Sequence, residues 1–227
     1  MTTVLLVRHG LTAMTGPVLA GWTPDVHLDD RGTAQAAALG ARLADVPLAA
    51  VVSSPLDRCL ETARAVLGER SLPLRTDDRL GECRYGDWTG QELKRLAKDP
   101  LWKVVQAHPS AVTFPGGEAL RDVQARAVAA IREVNAELGP DTAWVACSHG
   151  DVIKAVVADA LGLHLDLFQR IQVDPCSLTV IRYTELRPFV LRLNDIGGTV
   201  ADLLPKRRKG RRRPTSDAPV GGGAGAS

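Results

Sequence analysis

The chain has 227 residues, 45% of them hydrophobic and 24% charged, which fits one globular domain with a substantial core. Of its 28 basic and 26 acidic residues, seven and one fall in residues 206–227; that stretch carries +6 and leaves the body 21 against 25, or −4. No apolar run approaches the roughly 18 residues of a membrane span, and the opening run Val4-Leu5-Leu6-Val7 is too short for a signal peptide, so the cytoplasm is the expected compartment and no membrane partner is expected.

Thr2 to Val7 is a short apolar, β-branched run ended by Arg8-His9-Gly10. It reads as a buried strand feeding a loop. Asp29 and Asp30 precede an Ala-rich stretch to Ala44, a helix with an acidic N-cap. Ala49 to Ser53 reads as a second strand. Leu56, Leu60, Ala63 and Leu67 then recur at spacings of four, three and four, the mark of a helix with one face inward. Leu72 to Thr76 reads as a third strand, and the glycine-rich Gly81 to Gly90 as a loop.

Residues 91–107 look helical but broken at Pro100. Phe114-Pro115-Gly116-Gly117-Glu118 reads as a turn with an acidic residue, opening a long helix. Leu120, Val123, Ala127, Ile131, Val134 and Leu138 mark its inward face, and Gly139-Pro140 ends it. Ala143 to Cys147 is the next strand, followed by Ser148-His149-Gly150 and a helix over Val152 to Leu161. Leu178 to Tyr183 and Phe189 to Leu193 read as a terminal strand pair around a turn near Arg187-Pro188.

This alternation predicts an α/β fold, a three-layer α/β/α sandwich around a mostly parallel central sheet. The domain is expected over 1–204. Residues 205–227, basic and then Gly- and Ala-rich, have little to bury and are expected to be disordered. In such sheets ligands bind at the carboxyl ends of the strands, and two strands here end in histidine, His9 and His149. Arg58 falls in a helix's first turn, where the dipole disfavours a cation, which suggests a bound anion. Glu82, among glycines and aromatics, suits a partly desolvated acid.

Taken together, LVRHG at 6–10, SSPLDRCLETA at 53–63, GECRYGDWTG at 81–90, PGGE at 115–118 and CSHG at 147–150 resemble the histidine phosphatase superfamily, the phosphoglycerate-mutase-like "RHG" proteins, in its phosphatase-type branch 1. The resemblance spans residues 4 to about 155, and the strand–helix rhythm fits to about 195. It implies that His9 is the nucleophile that becomes phosphohistidine. It implies that Arg8, Arg58 and His149 hold the phosphoryl oxygens, and that Glu82 protonates the leaving oxygen. His9 should then be neutral, and His149 charged once the dianion is bound.

Two positions depart from the family. Thr15 stands where it often has Asn, and Val18 where it often has Arg. Thr12, Thr15 or a backbone N–H are the candidates to compensate, and Gly150 is counted with them among phosphate-binding residues. Other phosphatase signatures are absent: there is no D-x-D, no G-x-S-x-G and no P-loop, and Ile153 stands where a cysteine phosphatase would need Arg. No metal or cofactor is expected. The four cysteines, Cys59, Cys83, Cys147 and Cys176, form no C-x-x-C pair and read as isolated thiols. His27, His108 and His164 are given no role, and Asp87 and Trp88 are expected to shape the pocket.

The expected activity is hydrolysis of small-molecule phosphate monoesters. A phosphomutase of the phosphoglycerate type is the alternative, and a weakly active phospho-ligand-binding protein on this fold is the second. Only residues 91–114 separate the acid-bearing loop from PGGE, a short insertion that favours water over phosphoryl recycling. Leu93, Leu96, Leu101, Trp102 and Val105 are expected to form an apolar lid, while Lys94, Arg95, Lys98 and Lys103 are expected on a solvated face. Nucleic acid is not an expected partner, except weakly through the basic tail, and a homodimer stays open.

Overall fold

A computed structural model describes residues 1–197; the basic tail expected from residue 205 lies outside the described residues. Six strands form one sheet in the order β3-β2-β4-β1-β5-β6. They are β1 (Thr2–Arg8), β2 (Ala50–Ser53), β3 (Leu74–Thr76), β4 (Thr142–Ser148), β5 (Leu178–Tyr183) and β6 (Pro188–Asp195). The pairs β1·β4, β2·β4 and β2·β3 are parallel, whereas β1·β5 and β5·β6 are antiparallel. The sheet is thus parallel through its centre and closed on one flank by an antiparallel hairpin.

Both faces of the central strands are covered, which is why β1 reads as a continuous apolar run rather than an alternation. Leu5 and Val7 of β1, Val51, Val145 and Cys147 pack with α1 (Asp30–Arg42) and α2 (Asp57–Leu67). Val4 and Leu6, with Val52, Trp144 and Ala146, turn to the other face, toward α5 (Leu120–Leu138) and α6 (Gly150–Leu161). Two short helices, α3 (Leu93–Leu96) and α4 (Pro100–Ala107), complete that second layer. Pro100 opens α4 under an Asp99 cap, so the expected break is a helix start.

One close approach fixes the end of β1. A Cβ on Gly10 would stand 2.7 Å from the carbonyl oxygen of Gly32, and one on Gly32 would stand 2.0 Å from that of Leu11. The loop carrying His9 therefore lies against the first turn of α1, which Asp29 caps through its side chain.

Candidate active site

In the parallel register Arg8 stands beside Ser148, and the next residue along each strand is a histidine. The His9 and His149 rings are 5.2 Å apart, edge to face. His9 N–H donates to the Ser148 carbonyl at 3.0 Å. The Gly10 N–H donates to Thr62 Oγ1, whose own hydroxyl donates to Arg58 O. The loop after β1 is thus tied both to β4 and to α2.

His9 Nδ1 lies 2.7 Å from the Gly10 carbonyl oxygen. A carbonyl only accepts, so Nδ1 carries the proton and Nε2 keeps its lone pair. Burial holds the His9 pKa well below the ordinary value, helped by Arg58 and Arg8. The same causes, burial first and then Arg58, hold His149 low. His149 Nε2 is 2.8 Å from Ser54 Oγ, and its Nδ1 faces Arg58 Nη2 at 3.4 Å and Glu82 Oε2 at 3.8 Å. Both imidazoles are therefore held neutral near pH 7.

Two buried guanidiniums flank the histidines. Arg8 Nη1 donates to Val173 O and Arg58 Nη2 to Gly21 O. Arg58 Nε and Nη1 are buried with no hydrogen-bond partner among the described residues. Buried donors left unpaired are costly, and an anion would satisfy both. Glu82 completes the group: its Oε1 accepts the Cys83 N–H at 2.9 Å. Burial, then the charge of Asp151, raises its pKa to about 7, against the Cys83 N–H, Arg58 and Arg8.

These five side chains, all named from the sequence, come together, and four of them line one cleft. The cleft is about 390 Å³ counting its open mouth, and Arg8, His9, Arg58 and Glu82 line its floor. Thr12 and Thr15 also line it; their hydroxyls are 3.0 Å apart, and the Thr12 N–H donates to Thr15 Oγ1. His149 and Gly150 are buried and do not line it, His149 standing against His9 and Gly150 opening α6. Val18 does, together with Leu19 and Leu93.

Two sequence expectations fail. The proposed apolar lid is not one: Leu96, Trp102 and Val105 are buried in the core, Leu101 packs against it, and only Leu93 reaches the cleft. Apolar periodicity reports burial, and here the burial is within the core cluster that also holds Trp88, Phe114 and Phe168. Trp88 likewise stacks on Trp102 within the core, and Asp87 does not line the cleft. The four lysines and arginines of this segment are exposed, as expected.

The PGGE segment does more than turn the chain. A Cβ on Gly86 would fall 2.1 Å from Pro115 O, and one on Gly117 would fall 2.1 Å from Arg84 O. Two backbones pack directly here, which only glycine permits. Glu118 then pairs with Arg126, whose guanidinium donates to the carbonyls of Arg79, Gly81 and Glu82. Trp22 Nε1 also donates to Glu82 O, at 2.5 Å. Neither Arg126 nor Trp22 is given a role by the sequence; both act on backbone carbonyls, which leave no local pattern.

Among the described residues, only Asp25, His27 and Asp57 bring three ligand-type atoms within 4.8 Å of one another. Asp25 and His27 are exposed, and His27 Nδ1 is already 2.5 Å from Glu61 Oε1. No helix among the described residues is long and apolar enough to cross a membrane.

Two guanidiniums and a neutral imidazole, buried at the carboxyl edge of an α/β sheet beside a carboxyl with a raised pKa, define a class: enzymes that act on phosphoric monoesters. The chain belongs to the histidine phosphatase superfamily, branch 1, whose family model matches residues 4–196. Phosphoserine phosphatase 1 of Hydrogenobacter thermophilus is 30% identical over 205 residues, 86% of this chain and 92% of that one. Glucosyl-3-phosphoglycerate phosphatase of Mycolicibacterium vanbaalenii is 33% identical over 171 residues, 72% of this chain and 76% of that one. Among solved structures, Bacillus stearothermophilus YhfR superposes with a TM-score of 0.79 at 30% identity, covering 87% of this chain and 98% of that one.

Proposed function

We propose that the chain is a cytoplasmic, metal-independent phosphatase that hydrolyses small phosphate monoesters through a phosphohistidine at His9. The observation that carries this reading is the unprotonated Nε2 of His9, fixed by the Nδ1 contact to Gly10 O and surrounded by buried guanidiniums. Phosphoryl transfer needs positioning and charge stabilisation above all, and rigid guanidinium forks match phosphate oxygens.

In the first step Nε2 attacks phosphorus, the ester P–O bond breaks, and the leaving oxygen takes the proton of Glu82. In the second, Glu82, now a carboxylate, takes a proton from water. The hydroxide attacks phosphorus, the N–P bond breaks, and inorganic phosphate leaves. The acid and base roles alternate on one group, which a carboxyl titrating near 7 suits. Arg8 and Arg58 hold the phosphoryl oxygens, joined by His149 once the dianion raises its proton affinity. Thr12 and Thr15 supply hydroxyls at the site edge.

The mouth of the cleft supports a substrate preference. Beyond Arg8 and Arg58 its lining has no cation; Met14, Val18, Leu19, Ala20 and Leu93 form much of it. Two relatives are named for phosphoserine and for glucosyl-3-phosphoglycerate, esters that bear a carboxylate. We infer that this chain instead favours esters whose alcohol part is uncharged. The test is release of phosphate from p-nitrophenyl and alkyl phosphates against phosphoserine and 3-phosphoglycerate, with and without EDTA. Expected are turnover indifferent to EDTA, kcat/KM at least about tenfold higher for uncharged esters, and loss of turnover in His9→Ala. Acid-labile label on His9 after quenching is also expected. Bisphosphate-primed isomerisation of phosphoglycerate would overturn the phosphatase reading in favour of a mutase.

A further inference from the structure

A second buried polar group stands behind the cleft, and the mechanism above leaves it unused. Asp151 is the second residue of α6 and is 1% exposed. Its Oδ2 accepts the Tyr85 hydroxyl at 2.9 Å, and its Oδ1 is 3.6 Å from Lys154 Nζ. Lys154 is fully buried; Nζ donates to Gln169 Oε1 at 3.1 Å and lies 5.6 Å from the Phe168 ring. Tyr85 is also fully buried, packs edge to face on Phe114, and lines the cleft beside Glu82.

Stability does not explain the trio. Taking an ion pair out of water costs about as much as the pair returns, and apolar replacements are often as stable. Its position is more informative. Tyr85 belongs to the loop that carries Glu82. His149, two residues before Asp151, lies 3.8 Å from Glu82 Oε2. A carboxylate fixed by that tyrosine is thereby coupled to the acid through both the loop and the helix start.

We infer that Asp151 is a positioning residue for the reaction: anchored by Tyr85 and Lys154, its negative charge disfavours a second charge on Glu82 and so keeps the acid supplied with its proton. The inference rests on the reading of Glu82 as the acid. The charged and titratable groups around Glu82 come from every element packed on it. They are Arg8 from β1, His9 from the loop after it, Arg58 from α2, Arg126 from α5, His149 from the β4–α6 junction, Asp151 and Lys154 from α6, and Cys83 and Tyr85 from its own loop. Of these, the Cys83 N–H, Arg58 and Arg8 favour the carboxylate. After burial itself, Asp151 is the largest influence toward the protonated form. Without it, two guanidiniums would pull the acid toward its ionised state before the leaving group needs the proton.

The test is the alkaline limb of kcat/KM, followed on an alkyl phosphate, whose alkoxide needs the proton, and on p-nitrophenyl phosphate, whose phenolate hardly does. Substrate ionisation is common to every variant and cancels in the comparison. Asp151→Asn keeps the shape and should move the limb on the alkyl ester to lower pH by about one pH unit, the usual reach of one nearby charge on a carboxyl. Loss on p-nitrophenyl phosphate should stay within about twofold. Lys154→Gln, which leaves Asp151 less balanced, should move the limb to higher pH. The pair Asp151→Asn with Lys154→Gln removes both charges together and should still move it lower, which keeps the test alive if Asp151→Asn alone fails to fold. An unmoved limb in these variants, or equal loss on both esters at every pH, overturns the inference and leaves the Glu82 reading standing. An alkaline limb that survives in Glu82→Gln overturns both.

Discussion

The two flanks of the sheet are held together in different ways. At the carboxyl edge of the parallel strands, buried and half-buried polar side chains bond to backbone carbonyls. Arg8 reaches Val173 O, Arg58 reaches Gly21 O, Ser148 reaches Leu80 O, and Arg126 reaches three carbonyls at once. On the antiparallel flank, β5 and β6 satisfy their backbones through a hairpin ladder, and β6 leaves Phe189, Leu191 and Leu193 between 44% and 50% exposed. The first region spends stability on desolvated polar groups and gains a charged, preorganised pocket; the second needs only to close the sheet. Substitutions should therefore have sharply unequal consequences in the two places.

Outside the five site residues the largest effect is expected at Arg126, which does not line the cleft. Arg126→Gln removes the fork that ties Arg79, Gly81 and Glu82 carbonyls to Glu118. Losing donors to part-buried carbonyls costs about 1–3 kcal/mol, measurable as a lower denaturant midpoint. A displaced acid also loses near-attack alignment, so kcat on an alkyl phosphate should fall about 10- to 100-fold, with KM little changed. A variant with wild-type kcat would show that the loop holds Glu82 without this clamp, and the contrast would lose its main support.

Much of this region was legible in the sequence. Strand-end histidines, the arginine in the first turn of α2 and the glutamate among glycines each carry a residue type at odds with its surroundings, and the fold brings all of them together. Arg126 carries no such mark. It sits on α5 among other charged residues, where helical periodicity assigns it to solvent, and its partners are carbonyls that any sequence would supply. Asp151 and Lys154 hide for a related reason: polar positions on a helix read as exposed unless the partners that bury them are known. Leu96, Trp102 and Val105 show the reverse error, since an apolar stripe looks alike whether it faces the core or a substrate. On β6, read from the sequence as one of a terminal strand pair, Phe189, Leu191 and Leu193 alternate as in a half-buried strand yet face outward.

A smaller but more diagnostic effect concerns Glu82 and stability. Its folded pKa of about 7 lies above the ordinary 4.5. The protonated carboxyl is therefore the form the fold prefers. Stability from this group is fully present below pH 4.5 and is lost as pH rises through 7. His9 and His149, held low in the fold, work the other way below their unfolded values, but they are common to wild type and variant. Glu82→Gln should match wild type in stability at pH 4 and exceed it by about 1–3 kcal/mol at pH 8, read from urea unfolding at each pH. A difference that stays flat across that range would mean the carboxyl is not desolvated, and the region would be less unlike the other flank than it looks.

The smallest effect is expected where the sequence shows most hydrophobicity to solvent. Leu191→Ser on β6 removes an apolar side chain that is 45% exposed and has little burial to lose. Surface substitutions of this kind fall within about 0.5 kcal/mol, and kcat/KM should stay within about twofold, because none of the cleft lining comes from β6. The serine also lowers strand propensity slightly, so a small loss, rather than a gain, is the expected sign. If instead the midpoint drops by several times that amount, the exposed stripe is covered in solution, and the hairpin flank carries burial that a single chain does not display. The measurement is therefore best made at two protein concentrations a hundredfold apart, since burial against a second molecule alone would make the loss depend on concentration.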